Sequence, residues 1–394
     1  MLSQRHIELV KSTVPLLENA GPAVTEHFYQ RLFRDNPEVQ HIFNMSNQHS
    51  GRQQFALFSA IAAYAKYLDT PEVLLTMVER IAQKHSSMNI LAEHYPIVGH
   101  HLIETLRELA PDQFTPEIEH AWGLAYQQLA DIFVSREKAI YQQNEEKKGG
   151  WKGGREFRLI EKRIESELVK SLVFEPVDGG EVAAYQAGQY IGIEVQPPGQ
   201  QYREIRQYSL SSSCFTDRYQ ISVKREIMDR PGVVSNYLHD NLRLGESVTL
   251  YAPAGDFYLK AGEQPLVLIS AGVGLTPMQA MLETVAGTNP RRPVFYLHAC
   301  ENPSQHSFLK RNQNLSKDMN LTLHSWYQVE APEGGNTYHG FMDISLIDGL
   351  PLADGAFYLC GPVGFMSFAK QQLLALGVDS ERIHYEVFGP HEDL

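Results

Sequence analysis

Over roughly the first 145 residues, apolar side chains return at every third or fourth position. Val73, Leu74, Met77, Val78, Ile81 and His85 form one such stripe. A period near 3.6 predicts helices, each with one buried face. Prolines stand where such helices would start or stop, at Pro37, Pro71, Pro96, Pro111 and Pro116. The segment from Met1 to Leu17 carries Glu8 and Lys11 within its apolar pattern. That predicts an amphipathic helix rather than a signal peptide.

The pattern changes at Glu145-Glu146-Lys147-Lys148-Gly149-Gly150. Trp151 stands between two glycine pairs, Gly149-Gly150 and Gly153-Gly154, and this punctuation is the clearest boundary in the chain. From Arg155 the period becomes two, through Arg158, Ile160, Lys162 and residues 167–174. Turn clusters around Pro176-Val177-Asp178-Gly179-Gly180 and Pro197-Pro198-Gly199 separate short strands, which predicts a small antiparallel barrel. After Pro265, apolar strands alternate with helical stretches. Strands are expected at 266–271, 294–299 and 357–360, with helices from Pro277 and Val363. This is the pattern of an α/β domain with a parallel sheet. The expected fold is therefore multidomain: all-α over 1–147, an antiparallel β-barrel over 148–262 and an α/β parallel-sheet domain over 263–394.

Composition agrees with two or three folded domains in 394 residues, 43% hydrophobic and 21% charged. The net charge of -13 argues against binding nucleic acid or an anionic membrane through bulk electrostatics. No apolar run approaches the roughly 20 residues that cross a bilayer. Three cysteines, Cys214, Cys300 and Cys360, lie far apart. They exclude a disulfide framework and Cys-x-x-Cys metal sites, and suit reduced thiols in the cytoplasm.

Several short motifs carry chemistry. Gly272-Val273-Gly274-Leu275-Thr276-Pro277 follows an apolar strand and opens a helix, the form of a phosphate cradle. Cys360-Gly361-Pro362 follows a second buried strand, and a glycine there permits close approach of a ligand. In Arg206-Gln207-Tyr208-Ser209, Arg206 and Tyr208 share one strand face. An arginine fork suits a pyrophosphate, and a tyrosine ring suits a flat heterocycle. Tyr190 upstream and the turn Gly232-Val233-Val234-Ser235 downstream strengthen that motif. Nine histidines fall in the first 147 residues, and His85 continues an inward-facing stripe. An isolated histidine so placed is more often a core residue bonded to a carbonyl than a ligand. Gln53 and Leu57 stand one turn apart, and a buried amide at Gln53 would need a partner.

In this combination and order the chain resembles the flavohaemoglobins, a globin fused to a ferredoxin-reductase-like module. The resemblance runs from Phe28-Tyr29 through Lys84-His85 and the Arg206 motif to Phe388-Gly389-Pro390. It implies one haem b, with His85 as the iron ligand and with Tyr95 and Glu137 behind it. It implies Tyr29 and Gln53 as donors toward oxygen, Phe43 at the haem edge with Leu57 nearby, and Lys84 tuning the haem and flavin. For FAD it implies Tyr190, Arg206, Gln207, Tyr208, Ser209, Gly232 and Ser235. For the nicotinamide it implies Gly272, Val273, Gly274, Leu275, Thr276, Pro277, Cys360 and Gly361. Glu386, Phe388 and Gly389 form the family's flavin-side tail.

The implied activity is nitric oxide dioxygenation: O2 and NO become nitrate at a haem re-reduced by NAD(P)H through FAD. Glu301, just past a strand, would suit a free ribose hydroxyl and so NADH. The expected protein is a cytoplasmic monomer, with a lipid as a further occupant of the haem pocket. Two other readings remain at this stage: a haem-based sensor of O2 or NO, and a flavin reductase of ferric iron or quinones.

Overall fold

A computed structural model describes residues 2–18, 22–43, 52–227, 231–332 and 334–389. The chain divides into two compact units. One comprises Met1–Glu146, Trp151–Gly154 and Glu194–Arg206; the other comprises Lys147–Gly150, Arg155–Ile193 and Gln207–Leu394.

The first unit is built on helices α1 (Gln4–Ser12), α2 (Val14–Glu18), α3 (Pro22–Asp35), α4 (Arg52–Lys66), α5 (Leu75–Ser86), α6 (His94–Leu109) and α7 (Pro116–Glu146). The single helix expected at the N-terminus is two. A reciprocal capping box between Ser3 and His6 starts α1. It stops at Thr13, whose hydroxyl donates to the Val10 carbonyl at 2.7 Å. Pro15 has no N–H to give the Lys11 carbonyl, so the ladder cannot run on. Phe28, Leu32, Tyr64, Leu102 and Trp122 fill the core, and the Trp122 indole donates to Thr13 Oγ1 at 2.9 Å.

The barrel strands are β1 (Gly154–Ile164), β2 (Val169–Pro176), β3 (Tyr190–Val195), β4 (Glu204–Ser209), β5 (Tyr219–Lys224) and β6 (Ser247–Ala254), with α8 (Val233–Asp240) between the last two. Their order is β4-β3-β6-β1-β2-β5, and β2 pairs antiparallel with both β1 and β5. An antiparallel bridge from Leu210 to Ile221 joins the chain just past β4 to β5. Those are the two ends of the order, so the sheet closes and leaves no long free edge.

The remaining elements are β7 (Leu266–Ala271), α9 (Leu275–Thr288), β8 (Val294–Cys300), α10 (Leu309–Leu315), β9 (Leu321–Tyr327), β10 (Thr337–His339), β11 (Ala356–Cys360), α11 (Val363–Ala375) and β12 (Ile383–Glu386). The sheet order is β10-β9-β8-β7-β11-β12, with every pairing parallel. Leu268, Tyr296 and Tyr358 pack with Met278 and Leu282 of α9. Val267, Leu297 and Phe357 pack with Met366 and Leu373 of α11. Both faces are covered, which is why the strands read as unbroken apolar runs. The chain steps outward from β7 to β10 and then returns to β11 on the other side. The order thus reverses between β7 and β11, and a crevice opens at their carboxyl ends.

Candidate functional site

His85 lies in the last turn of α5, beside the fully buried Ala82. Its carbonyl accepts the N–H groups of Met88 and Ile90, both at 3.1 Å, and Asn89 turns the chain at φ 55°. The turn brings Tyr95 back at the start of α6. From α7, Glu137 reaches the same point with 2% of its surface exposed. His85 Nδ1 is 2.7 Å from Glu137 Oε1 and 3.1 Å from the Tyr95 hydroxyl. Tyr95 donates to the same carboxylate oxygen at 2.5 Å. Burial, and then the neighbouring Glu137 charge, push the Tyr95 phenol well above its ordinary range, so it stays a donor. The carboxylate accepts a hydrogen bond from Nδ1–H, which leaves the Nε2 lone pair of His85 available. An imidazole backed by a buried carboxylate is an electron-rich donor, and it fits haem iron.

The support around these three groups is close-packed. The Phe133 ring lies 5.9 Å from His85 and 6.2 Å from Tyr95, stacked on the latter. Tyr126 donates to the Tyr95 carbonyl at 2.8 Å. Its ring fills the space over Gly99, where a Cβ would stand 2.3 Å from Cε1. Arg136 pairs with Glu79 and ties α7 to α5 next to Glu137. Sequence reasoning did not single out Phe133 or Gly99. A buried aromatic on α7 reads as ordinary core, and nothing local says which glycine meets a ring.

Tyr29 of α3 is buried in an aromatic cluster, 5.0 Å from Phe28, 5.6 Å from Phe33 and 5.7 Å from Phe43. Leu57 of α4 is half-buried against the same core, with Ile61 fully buried beyond it. The Tyr64 hydroxyl is engaged by the Ala125 carbonyl at 3.0 Å. Gln53 is on α4, but its side chain lies outside the described residues. Lys84 is half-buried beside His85.

In the barrel, Tyr190 opens β3, and its ring closes over Gly255, which takes φ 114° and has no room for a Cβ. Arg206 and Tyr208 are half-buried on β4 and Ser209 is buried. The Arg206 guanidinium sits 2.9 Å from the Glu204 carboxylate and donates to the Ile205 carbonyl. Gln207 Nε2 is buried with no protein partner. An amide donor stranded beside the Arg-x-Tyr-Ser strand fits a polar heterocycle such as a flavin. Gly232 caps α8 without any side-chain bond to the helix amides. At its other end, Lys162 and Lys170 donate to the His239 carbonyl and Lys162 also to that of Leu242. Ser235 sits in the first turn, its hydroxyl accepting from Glu226 N–H at 3.3 Å. The open amide end of α8 fits a phosphate.

At the crevice of the parallel sheet, Gly272 turns with φ 53°. A Cβ on Gly274 would stand 2.1 Å from the Cys360 carbonyl oxygen. The two turns that flank the crevice therefore touch through backbone. Helix α9 begins at Leu275 rather than Pro277. Pro277 still falls in the first turn, where no N–H is needed. Thr276 donates to the Val273 carbonyl at 3.0 Å. Cys360 is fully buried, and burial raises its thiol well above the usual range. Gly361 would place a Cβ 3.1 Å from Ala271 N. Glu386 ends β12 half-buried, Phe388 is 45% exposed and Gly389 takes φ 137°. Glu301 is exposed, and its carbonyl accepts from Gln328 and Val329, which fixes the backbone.

Comparison with known proteins agrees with this arrangement. Residues 26–133 match the globin family, residues 156–258 an oxidoreductase FAD-binding domain and residues 268–371 an oxidoreductase NAD-binding domain. A flavohemoprotein of Vibrio cholerae serotype O1 is 56% identical over 396 residues, with all of both chains covered. A flavohemoglobin from Malassezia yamatoensis, solved with bound FAD and heme, aligns at a TM-score of 0.88 and 26% identity, covering 98% of this chain and 100% of that one. The FAD/NAD binding domain of nitric oxide dioxygenase from Vibrio cholerae O1 biovar El Tor aligns at 0.58 and 53% identity, over 60% of this chain and 99% of that one.

Proposed function

The chain belongs to the flavohaemoprotein family, and on that footing we infer that it is a nitric oxide dioxygenase. Two NO and two O2 become two nitrates, and one NAD(P)H supplies the two electrons. The observation that carries this reading is the hydrogen-bonded His85–Tyr95–Glu137 triad, built on a buried carboxylate, in one chain with an open α8 amide end and the glycine crevice.

When bound, haem supplies an oxygen-binding iron, and FAD converts a two-electron hydride into single electrons. The residues do the rest. In this reading, His85 ligates the iron through Nε2 while Glu137 holds its Nδ1 proton, which strengthens the ligand as a donor. Tyr95 gives its hydroxyl hydrogen to the same carboxylate and keeps it from swinging away. Tyr29 would offer a phenol hydrogen, and Gln53 an amide, to an anionic ligand in the pocket. Phe43 and Leu57 exclude water, and Lys84 contributes positive charge near the ligand helix.

Arg206 and the α8 amides with Gly232 and Ser235 take the flavin pyrophosphate. Tyr190 and Tyr208 flank the ring, and Gln207 and Ser209 supply polar contacts to it. Residues 272–277 would hold the nicotinamide pyrophosphate at the amide end of α9, with Cys360 and Gly361 lining the neighbouring turn. The exposed Phe388 would offer its ring to cover a flavin, with Glu386 and Gly389 shaping that tail. The Glu301 carboxylate repels a 2′-phosphate, so NADH is the donor. One globin domain takes one haem, and the chain works as a cytoplasmic monomer. Among the described residues no helix is long and apolar enough to cross a membrane.

The test is an anaerobic spectrum of purified protein followed by turnover. A haem Soret band with a flavin shoulder should convert to the ferrous spectrum on NADH addition. Aerobic NO should then be consumed with one nitrate formed per NO. Haem reduction without nitrate would reject the dioxygenase reading.

A further inference from the structure

Helix α9 does more than open with a phosphate turn. Two turns beyond Thr276, Glu283 is 8% exposed at its side chain. Its neighbours on the helix, Met278, Ala280, Met281 and Leu282, are fully buried and apolar. A carboxylate in such a place must be paired and hydrogen-bonded, or its burial costs several kcal/mol. Glu283 takes three donors. Ser213 N–H reaches Oε2 at 3.0 Å, Gln279 Nε2 reaches Oε1 at 2.9 Å, and the Arg311 guanidinium of α10 reaches Oε1 at 2.8 Å.

Ser213 belongs to the barrel, four residues past Ser209 at the end of the flavin strand. The segment between them has little freedom. Leu210 bridges to Ile221, Ser211 Oγ lies 2.7 Å from Ser222 Oγ, and the Tyr185 hydroxyl donates to the Ser212 carbonyl at 2.7 Å. A pull on Ser213 is therefore transmitted to β4. On the other side, Glu283 is rigidly part of the helix whose first turn faces the crevice. Apolar contacts between barrel and helix, such as Met281 against Gly188, tolerate sliding. A charge-assisted bond from a backbone amide is directional and short.

We propose that Glu283 is a positioning residue that fixes the distance between the flavin strand and the nicotinamide helix, and so the rate of hydride transfer. This rests on the functional reading above, in which a nicotinamide reduces a flavin in this chain. It adds the residue that sets their spacing. A displacement near 1 Å costs about a hundredfold in a transfer step, so one directional tie at this junction has a large kinetic effect. A second link between barrel and sheet serves as the control. Glu167 accepts from Ser304 Oγ at 2.8 Å at an exposed turn, and neither residue is among those assigned to FAD or the nicotinamide.

The experiment uses the full holoprotein, mixed rapidly with NADH under nitrogen, and follows flavin bleaching. Glu283→Ala should keep its FAD and haem and bind NADH within about threefold of the parent. Its limiting rate of flavin reduction should fall by about tenfold or more, with a larger isotope effect from NADH deuterated at the transferred position. Glu283→Gln keeps an acceptor for Ser213 and should recover to within about threefold. Glu167→Ala should match the parent. A parental limiting rate in Glu283→Ala, or a loss confined to NADH affinity, overturns the proposal. If Glu283→Ala sheds FAD, Glu283→Asp decides: the shorter side chain keeps the charge but draws the carboxylate back from Ser213 N–H, so a slowed limiting rate supports the tie and a parental rate overturns it. Wild-type flavin that NADH does not reduce at all would sink the functional reading, and this proposal with it.

Discussion

Glu137 is the residue that holds both His85 and Tyr95. Glu137→Ala removes the acceptor that the His85 Nδ1 proton and the Tyr95 hydroxyl share and leaves them only each other, 3.1 Å apart, a net loss of about 1–3 kcal/mol. The thermal midpoint of the protein should fall by several degrees. In the ferrous haem form, the iron–histidine stretch seen by resonance Raman should move to lower frequency as the ligand loses its carboxylate; an unmoved band would remove Glu137 from the relay. Tyr29→Phe should bind haem normally but release oxygen faster and form nitrate at least about tenfold more slowly; unchanged turnover would reject Tyr29 as the donor. His85 was legible as inward-facing from its helical stripe alone. Its partner Glu137 was not, because it stands 52 positions away and no local period links the two. The resemblance named it where pattern could not. The distal amide expected at Gln53 falls outside the described side chains.

Among elements, the parallel sheet was the most readable and its glycine turns the most consequential. Strands β7, β8 and β11 announce themselves as apolar runs, because helices cover both of their faces. Strand β9 hid, since Leu321-Thr322-Leu323-His324-Ser325-Trp326-Tyr327 places buried His324 and Ser325 in mid-strand. The break between α1 and α2 was equally hidden, although Pro15 signals it in hindsight.

Gly274→Ala drives a Cβ into the Cys360 carbonyl, backbone against backbone, which no side-chain rotation relieves. We expect a rise of at least about tenfold in the KM for NADH, with FAD and haem content unchanged; a normal KM would show that the turns yield. Strands β8 and β9 also carry a pH dependence. Burial lowers His306, whose Nδ1 meets the Tyr327 hydroxyl at 2.7 Å, to about 4. Unfolded, it titrates near 6.5, so between those values acid protonates the unfolded chain first. Its stabilisation is full above pH 6.5 and is lost as pH falls toward 4, by up to about 3 kcal/mol. Urea midpoints from pH 7 to pH 4.5 should fall less steeply for His306→Asn than for the parent; equal slopes would discount the residue.

For the whole molecule, the order of folds followed from changes of period: 3.6, then two, then alternating strand and helix. A small barrel was expected from the turn spacing, but not which strands close it, because closure depends on one bridge, Leu210 to Ile221, between residues that no turn motif pairs. Nor did the reversal of strand order at β7 and β11, which only the three-dimensional sheet reveals. His85→Ala should empty the globin of haem. The other compact unit, 207–394 with its barrel segments, should still pass electrons from NADH to ferricyanide at near-parental rate. Loss of that activity would mean that the units do not fold independently.

The sealed thiol of Cys360 has a chemical corollary. Nitrosating and alkylating agents attack thiolates, and a sulfur held protonated away from water offers none. The chain therefore keeps a cysteine at the Cys360-Gly361 turn that such reagents do not reach while the sheet stays folded. Exposed Cys214 should be labelled first, and Cys360 should react only when the folded chain comes apart. Mass spectrometry of Cys360 thus offers a covalent clock for unfolding of the nicotinamide-side sheet.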